Sequence, residues 1–202
     1  MNAYQKEQLY TLQMVRRHLK ELPDSEITHL KLKIADYLDF RSRVAVFLRV
    51  HLNEICTEKC YQSHLSACCS KDGIVAFFAD VVINALSAGQ DSLDHLEQAI
   101  QHPEKVFKCI FLSETGCLWQ VKPIVCEMFL CDAAEDQAFV RDKGAMKQWE
   151  KFKSEEKTFT WPDKPVVFET LEAYFMARGC DSSLMYMHKS PGLMRIRQNR
   201  GK

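Results

Sequence analysis

The run from Cys109 to Cys131 reads CIFLSETGCLWQVKPIVCEMFLC and places four cysteines in twenty-three residues. Bulky apolar residues fill the gaps between them. Core filling, disulfide formation and metal ligation would each explain cysteines in such company, and each leads to a different fold. A second group lies upstream, in CTEKCYQSHLSACC from Cys56 to Cys69. Of nine cysteines, eight fall in these two groups: Cys56, Cys60, Cys68, Cys69, Cys109, Cys117, Cys126 and Cys131. Cysteine packs as a small hydrophobe and is often buried. Cys180, alone at the end of an expected helix, takes that reading. For the other eight it gives no reason to cluster within loop-like segments.

The compartment bears on the choice. The opening residues MNAYQKEQLYTLQ carry charge early and lack the apolar stretch of a secretory signal. The most apolar stretch, Gly73 to Gly89, is interrupted by Asp80 and Asn84. It falls short of the about 20 apolar residues that a membrane span needs. These features predict a cytoplasmic protein with no membrane association. Thiols stay reduced in the cytoplasm, so dense cysteine points to metal or redox chemistry rather than a disulfide framework. Neighbouring thiolates repel one another and are costly to bury, and a coordinated metal removes both costs. Structural zinc sites favour CxxC pairs. Here the spacings are CxxxC, a seven-residue gap and CC, then gaps of seven, eight and four residues. Iron–sulfur clusters accept all-cysteine ligation at varied spacing. The reading leans to iron–sulfur over zinc. His64, between Cys60 and Cys68, could replace a sulfur, although a lone loop histidine is more often solvated.

Around these groups the chain reads as helical. Leu9, Leu12, Val15 and Leu19 mark a first helix that Pro23 ends. Apolar residues from Ile27 to Leu48 predict one long helix, or two with a bend near Asp39–Arg41. Cys56 to Cys69 reads as irregular. Asp72 can cap a helix to about Ser87, on which Asp80 and Asn84 lie four apart on one side. That pair would face either the metal loops or a local polar network. Asp91 or Ser92 starts a short helix that Pro103 ends. The Cys109–Cys131 run reads as loops with at most a small hairpin, turning at Glu114-Thr115-Gly116. Ala133 to about Lys157 reads as one charged helix, with Phe139, Met146, Trp149 and Phe152 able to share a face. Val166 to Arg178 reads as another, with Gly179 as its left-handed cap. The basic tail after Pro191 reads as mobile.

The fold class expected is mainly α, with helices packed around an irregular cysteine-rich, metal-organised centre and little or no β. Residues 1–55 form an N-terminal helical region, 56–132 the cysteine core, and 133–202 C-terminal helices and tail, together one globular unit. Lys+Arg and Asp+Glu balance at 27 each, which gives no general attraction to nucleic acid or anionic lipid and leaves a protein partner open. No GxGxxG, GxxxxGK[ST] or GxSxG motif occurs.

Several of these residues also carry a likeness. Cys109, Phe111, Leu112, Gly116, Cys117, Leu118, Trp119, Pro123, Cys126, Phe129 and Cys131, with the Cys68-Cys69 pair, resemble the YkgJ-like cysteine-cluster family, a zinc- or iron-chelating domain. The resemblance covers roughly Cys56 to Cys131. Lys122 and Glu127 depart from it, standing where arginines are usual, and the Cys60–Cys68 gap is longer. It implies a bacterial cytosolic metal-binding protein of undefined biochemical role, with the eight clustered cysteines as ligands. A relative with a similar cysteine pattern, the flagellin lysine N-methylase group, is similar enough to raise an S-adenosylmethionine-dependent protein-lysine methyltransferase as an alternative. A thiol redox sensor is the third reading.

Overall fold

A computed structural model describes residues 1–62, 75–103, 109–140 and 142–200, apart from the side chains of Lys59 and Cys60. It is mainly helical. Helix α1 (Ala3–Glu21) begins with a reciprocal cap. The Asn2 side chain accepts the Gln5 N–H at 2.8 Å, and the Gln5 side chain accepts the Asn2 N–H at 2.9 Å. Helix α2 (Asp24–Lys33) follows Pro23, with acids in its first turn and lysines in its last, as the helix dipole favours.

Helix α3 (Ala35–Asn53) starts after a break at Ile34, not at Asp39–Arg41. Ile34 has a nearly flat ψ of −1°, and its N–H donates to the Lys31 carbonyl in a tight turn. Both flanks of that turn bury an apolar side chain, Leu30 and Ile34. Residues 39–41 instead continue a buried stripe of Tyr37, Phe40, Arg41 and Val44, so packing holds the helix straight there.

Beyond Asn53 the chain does not become irregular at once. Glu54–Tyr61 continues from α3 as a π-helix carrying the Cys56 and Cys60 positions. A π-helix is rare at any length and tends to mark functional segments. The expected cap at Asp72 lies outside the described residues.

Helix α4 (Phe78–Ser87) is the centre of the molecule. It packs against α1, α2 and α9 (Val167–Met176), and eight of its ten residues are buried, Asp80 and Asn84 among them. Helix α5 (Gln90–Gln101) lies on α1 and buries Leu93, Leu96 and Ile100. The second cysteine group contains a two-stranded hairpin, β1 (Leu112–Ser113) and β2 (Gly116–Cys117), and a single turn, α6 (Ile124–Glu127). Leu112 pairs with Cys117 and Ser113 with Gly116, which leaves Glu114-Thr115 as the loop. Gly116 sits at φ +116°, which a side chain would strain.

The stretch expected as one helix after Ala133 is two, α7 (Asp132–Phe139) and α8 (Lys143–Thr160). Asp142 divides them by capping α8, its side chain accepting the Ala145 N–H at 2.9 Å. Phe139, Trp149 and Phe152 are all buried, and Met146 is half-buried. Trp149 stacks on Phe47 of α3 at 5.6 Å, while Phe159, Phe168, Tyr37 and Phe40 meet edge-on or tilted nearby. Helix α9 ends as expected at Gly179, φ +79°. No helix among the described residues is long and apolar enough to cross a membrane.

The C-terminal tail is ordered, contrary to the reading of its sequence. It forms α10 (Tyr186–Lys189) and α11 (Pro191–Gln198). Arg197 and Arg200 both pair with Glu169 of α9, and Arg200 also donates to the carbonyls of Pro162 and Lys164. Arg197 and Arg200 therefore have carboxylate and carbonyl partners that sequence distance conceals.

Glu172 of α9 anchors this tail from inside. It is fully buried and accepts the N–H groups of Met187 at 3.2 Å and His188 at 3.1 Å. Its second oxygen lies 2.8 Å from His188 Nδ1. Burial pushes the Glu172 carboxyl up to about 8, against the pull of these N–H groups and Arg197. Burial and Arg197 push His188 down, against Glu169. Burial thus disfavours the charged form of both Glu172 and His188. A raised carboxyl stabilises the fold below its ordinary value of 4.5 and loses that contribution as pH rises through about 8. The depressed histidine acts at the other end, losing its contribution as pH falls below 6.5. Glu172→Gln cannot ionise, although its amide nitrogen cannot accept and one of the two backbone N–H bonds is lost. Its stability to urea should therefore stay flatter than that of the native chain as pH rises toward about 8, by on the order of 1 kcal/mol per pH unit. Parallel curves would show that Glu172 does not hold the proton.

Candidate metal centre

The segment from Cys117 to Cys126 buries Trp119, Pro123 and Ile124 and leaves Gln120, Lys122 and Val125 exposed, so the backbone groups on its inner side need partners from the protein. Side chains of α3 and α4 supply them. The Asp80 carboxylate accepts the Phe77 N–H at 2.9 Å with one oxygen and the Ile124 N–H at 3.0 Å with the other. One helical turn later, Asn84 accepts the Val121 N–H at 3.0 Å. Asp80 is 2% exposed and Asn84 1%. The Arg41 guanidinium donates to the Lys122 carbonyl at 2.7 Å and to the Tyr37 hydroxyl at 2.7 Å. Residues 121, 122 and 124 are thus each held by a buried side chain from another element.

Burial pushes the Asp80 carboxyl up to about 7, although the two N–H groups and Arg41 favour its ionised form. Glu127 lies 3.8 Å from Arg41 and 3.5 Å from Lys122. Lys122 and Glu127, the two positions at which the run departs from the cysteine-cluster pattern, are therefore paired with each other. Burial opposes the Lys122 ammonium, yet Glu127 and the Cys117 thiolate outweigh it and raise its pKa. The same attraction favours a deprotonated Cys117. Two buried donors, Arg41 Nε and Trp119 Nε1, have no hydrogen-bond partner among the described residues.

The individual cysteines sit as follows. Cys109 is buried, and its carbonyl accepts the Leu112 N–H as the chain enters the hairpin. Cys117 ends β2, directly across from Leu112. Phe111 and Trp119, on either side of the hairpin, meet edge to face at 5.6 Å. Cys126 lies in α6, its N–H donating to the Pro123 carbonyl at 2.9 Å. Cys131 is the N-cap residue of α7, and its carbonyl accepts the N–H groups of Ala134 and Glu135. Cys56 is exposed on the π-helix. That π-helix packs against α7, and the Tyr61 hydroxyl donates to the Ser113 carbonyl of the hairpin at 2.5 Å. The π-helix that carries Cys56 is therefore fastened to the hairpin that carries Cys117. None of Cys56, Cys109, Cys117 and Cys126 is without an interaction partner.

Cys68, Cys69 and His64 lie outside the described residues, as does the side chain of Cys60. Among the described residues, no three His, Cys, Asp or Glu side chains come together in a way that could hold a metal ion. Cys180 packs half-buried against the core, and burial raises its thiol pKa, as suits a packing residue. Compared with known proteins, the chain matches no family model, no curated protein and no solved structure.

Sequence reasoning passed over Arg41. Its signal was a charge inside the apolar stripe of Tyr37, Phe40 and Val44. Arg41 and Glu127 are each 7% exposed, so removing the guanidinium leaves the Lys122 carbonyl without its donor and takes from the buried Glu127 one of its two cations. Arg41→Met should destabilise the protein by on the order of 3 kcal/mol in urea unfolding. A loss below about 0.5 kcal/mol would match a surface substitution and contradict the geometry.

Proposed function

We propose that the chain is a metal-binding protein whose ligands are drawn from Cys56, Cys60, Cys68, Cys69, Cys109, Cys117, Cys126 and Cys131, holding an iron–sulfur cluster or zinc. The observation that carries the reading is the Tyr61–Ser113 hydrogen bond, which ties the π-helix of the first cysteine group to the hairpin of the second. Two groups separated by about forty residues of sequence thereby lie on adjoining elements. Core packing alone asks for no such meeting.

The donor set is soft sulfur, which suits iron–sulfur clusters and zinc and disfavours magnesium or calcium. Lys122 beside Cys117 supports the thiolate form that such a metal requires. A bound cluster or zinc ion would supply a covalent cross-link between the two groups and, in the iron–sulfur case, a redox centre. The protein's own contribution is positional. The hairpin fixes Cys117, the Pro123 turn fixes Cys126, and the start of α7 fixes Cys131. Reduced, clustered thiols also fit a cytoplasmic setting.

The experiment is anaerobic purification, followed by metal analysis and visible absorbance of the native chain and Cys126→Ser. The native protein should carry stoichiometric iron with cluster absorbance, and the variant should lose most of the metal. A colourless protein with stoichiometric zinc would replace the cluster by zinc. Native protein with neither metal would end the proposal.

A further inference from the structure

Buried polar groups on a central helix have a cost unless each has work to do. On α4 the two polar side chains enclosed by the core both bind the backbone between Cys117 and Cys126. We propose that Asp80 and Asn84 are positioning residues for Cys117 and Cys126, holding the intervening connection in its ligating shape before any metal arrives. This inference rests on the metal-binding reading and adds a property to it: metal enters a half-site that is already folded, instead of folding it.

Three features support the proposal. First, the acceptors come from α4, four residues apart on one face of a helix that packs against α1, α2 and α9. The connection is therefore referenced to the most enclosed element described, not to its own loop. Second, the contacts are distributed. Val121 binds Asn84, Ile124 binds Asp80, and the Lys122 carbonyl between them binds Arg41 from α3. Three anchors on four consecutive residues leave little freedom for the backbone at either end. Third, the turn that carries Cys126 is closed by the Pro123 carbonyl, and Ile124 beside it is buried. Each of these interactions is made by the protein alone.

The opposite side of the centre differs. Cys56 is exposed and belongs to a π-helix, whereas Cys109 is buried.

The test is hydrogen exchange at the Val121 and Ile124 amides, read by NMR on chelator-treated anaerobic protein before and after adding zinc(II). Both amides should be protected without metal, and zinc should leave that protection unchanged. Asp80→Ala and Asn84→Leu should lose protection at Ile124 and Val121 respectively. Each should weaken zinc binding by about 10–100-fold in competition with a chromophoric chelator. Val82→Ala, buried on the same helix but on the face opposite Asp80 and Asn84, should lower the melting temperature while keeping zinc affinity. Amides that exchange freely in metal-free protein, and become protected only with zinc, would overturn the proposal. So would a Val82→Ala variant that loses zinc as much as the other two. If the native chain binds no zinc, the positioning role and the metal-binding reading fall together for that metal. The exchange pattern then still decides whether α4 shapes the connection.

Discussion

The N–H of Ile124 reaches 3.0 Å into the core to the carboxylate of Asp80. That bond, with its neighbours from Asn84 and Arg41, is the constraint on which the arrangement of the cysteine centre depends. A loop lined with cysteines offers few local hydrogen bonds, and where its backbone turns into the core, as at Ile124, it cannot take them from water. The molecule answers by placing acceptors on its most buried helix and a donor on the adjoining one. An unpaired buried carboxylate would be expensive, so the same bonds that fix the loop also satisfy Asp80. Loop and helix are therefore mutually dependent, and neither is correctly furnished alone.

This dependence explains why the polar residues of α4 sit where they do, and it bears on function. Metal sites made by flexible loops couple binding to folding. Under the metal-binding proposal, a connection already held by the core would present Cys117 and Cys126 on a fixed backbone. Within that connection Lys122 pairs with Glu127, which Arg41 also approaches.

Much of the fold was legible in the sequence. Helical spacing of apolar residues located α1, Asp91 or Ser92 and Pro103 bracketed α5, and Gly179 marked the end of α9 because its left-handed conformation suits glycine. The two-residue turn of the hairpin followed from Glu114-Thr115-Gly116. The errors have physical causes. A flat ψ at Ile34 and a capping aspartate at Asp142 are single-residue events that periodicity averages away. The basic tail read as mobile because its carboxylate, Glu169, lies far off in sequence. At the centre, the clustering of cysteines was visible, but their mutual placement depends on long-range bonds such as Tyr61 to Ser113. Asp80 and Asn84 were noticed as a polar pair four residues apart. What they bind could not be read, because backbone partners leave no trace in side-chain identity. Arg41 was missed for the same reason.

The central claim is that a carboxylate enclosed by the core holds the cysteine connection. The most direct measurement is the pH titration of the Asp80 carboxyl carbon by NMR in metal-free protein. The account predicts a titration near 7, where burial outweighs the two N–H groups and Arg41. A midpoint at the ordinary value of 3.8 would contradict an enclosure in which burial outweighs those partners.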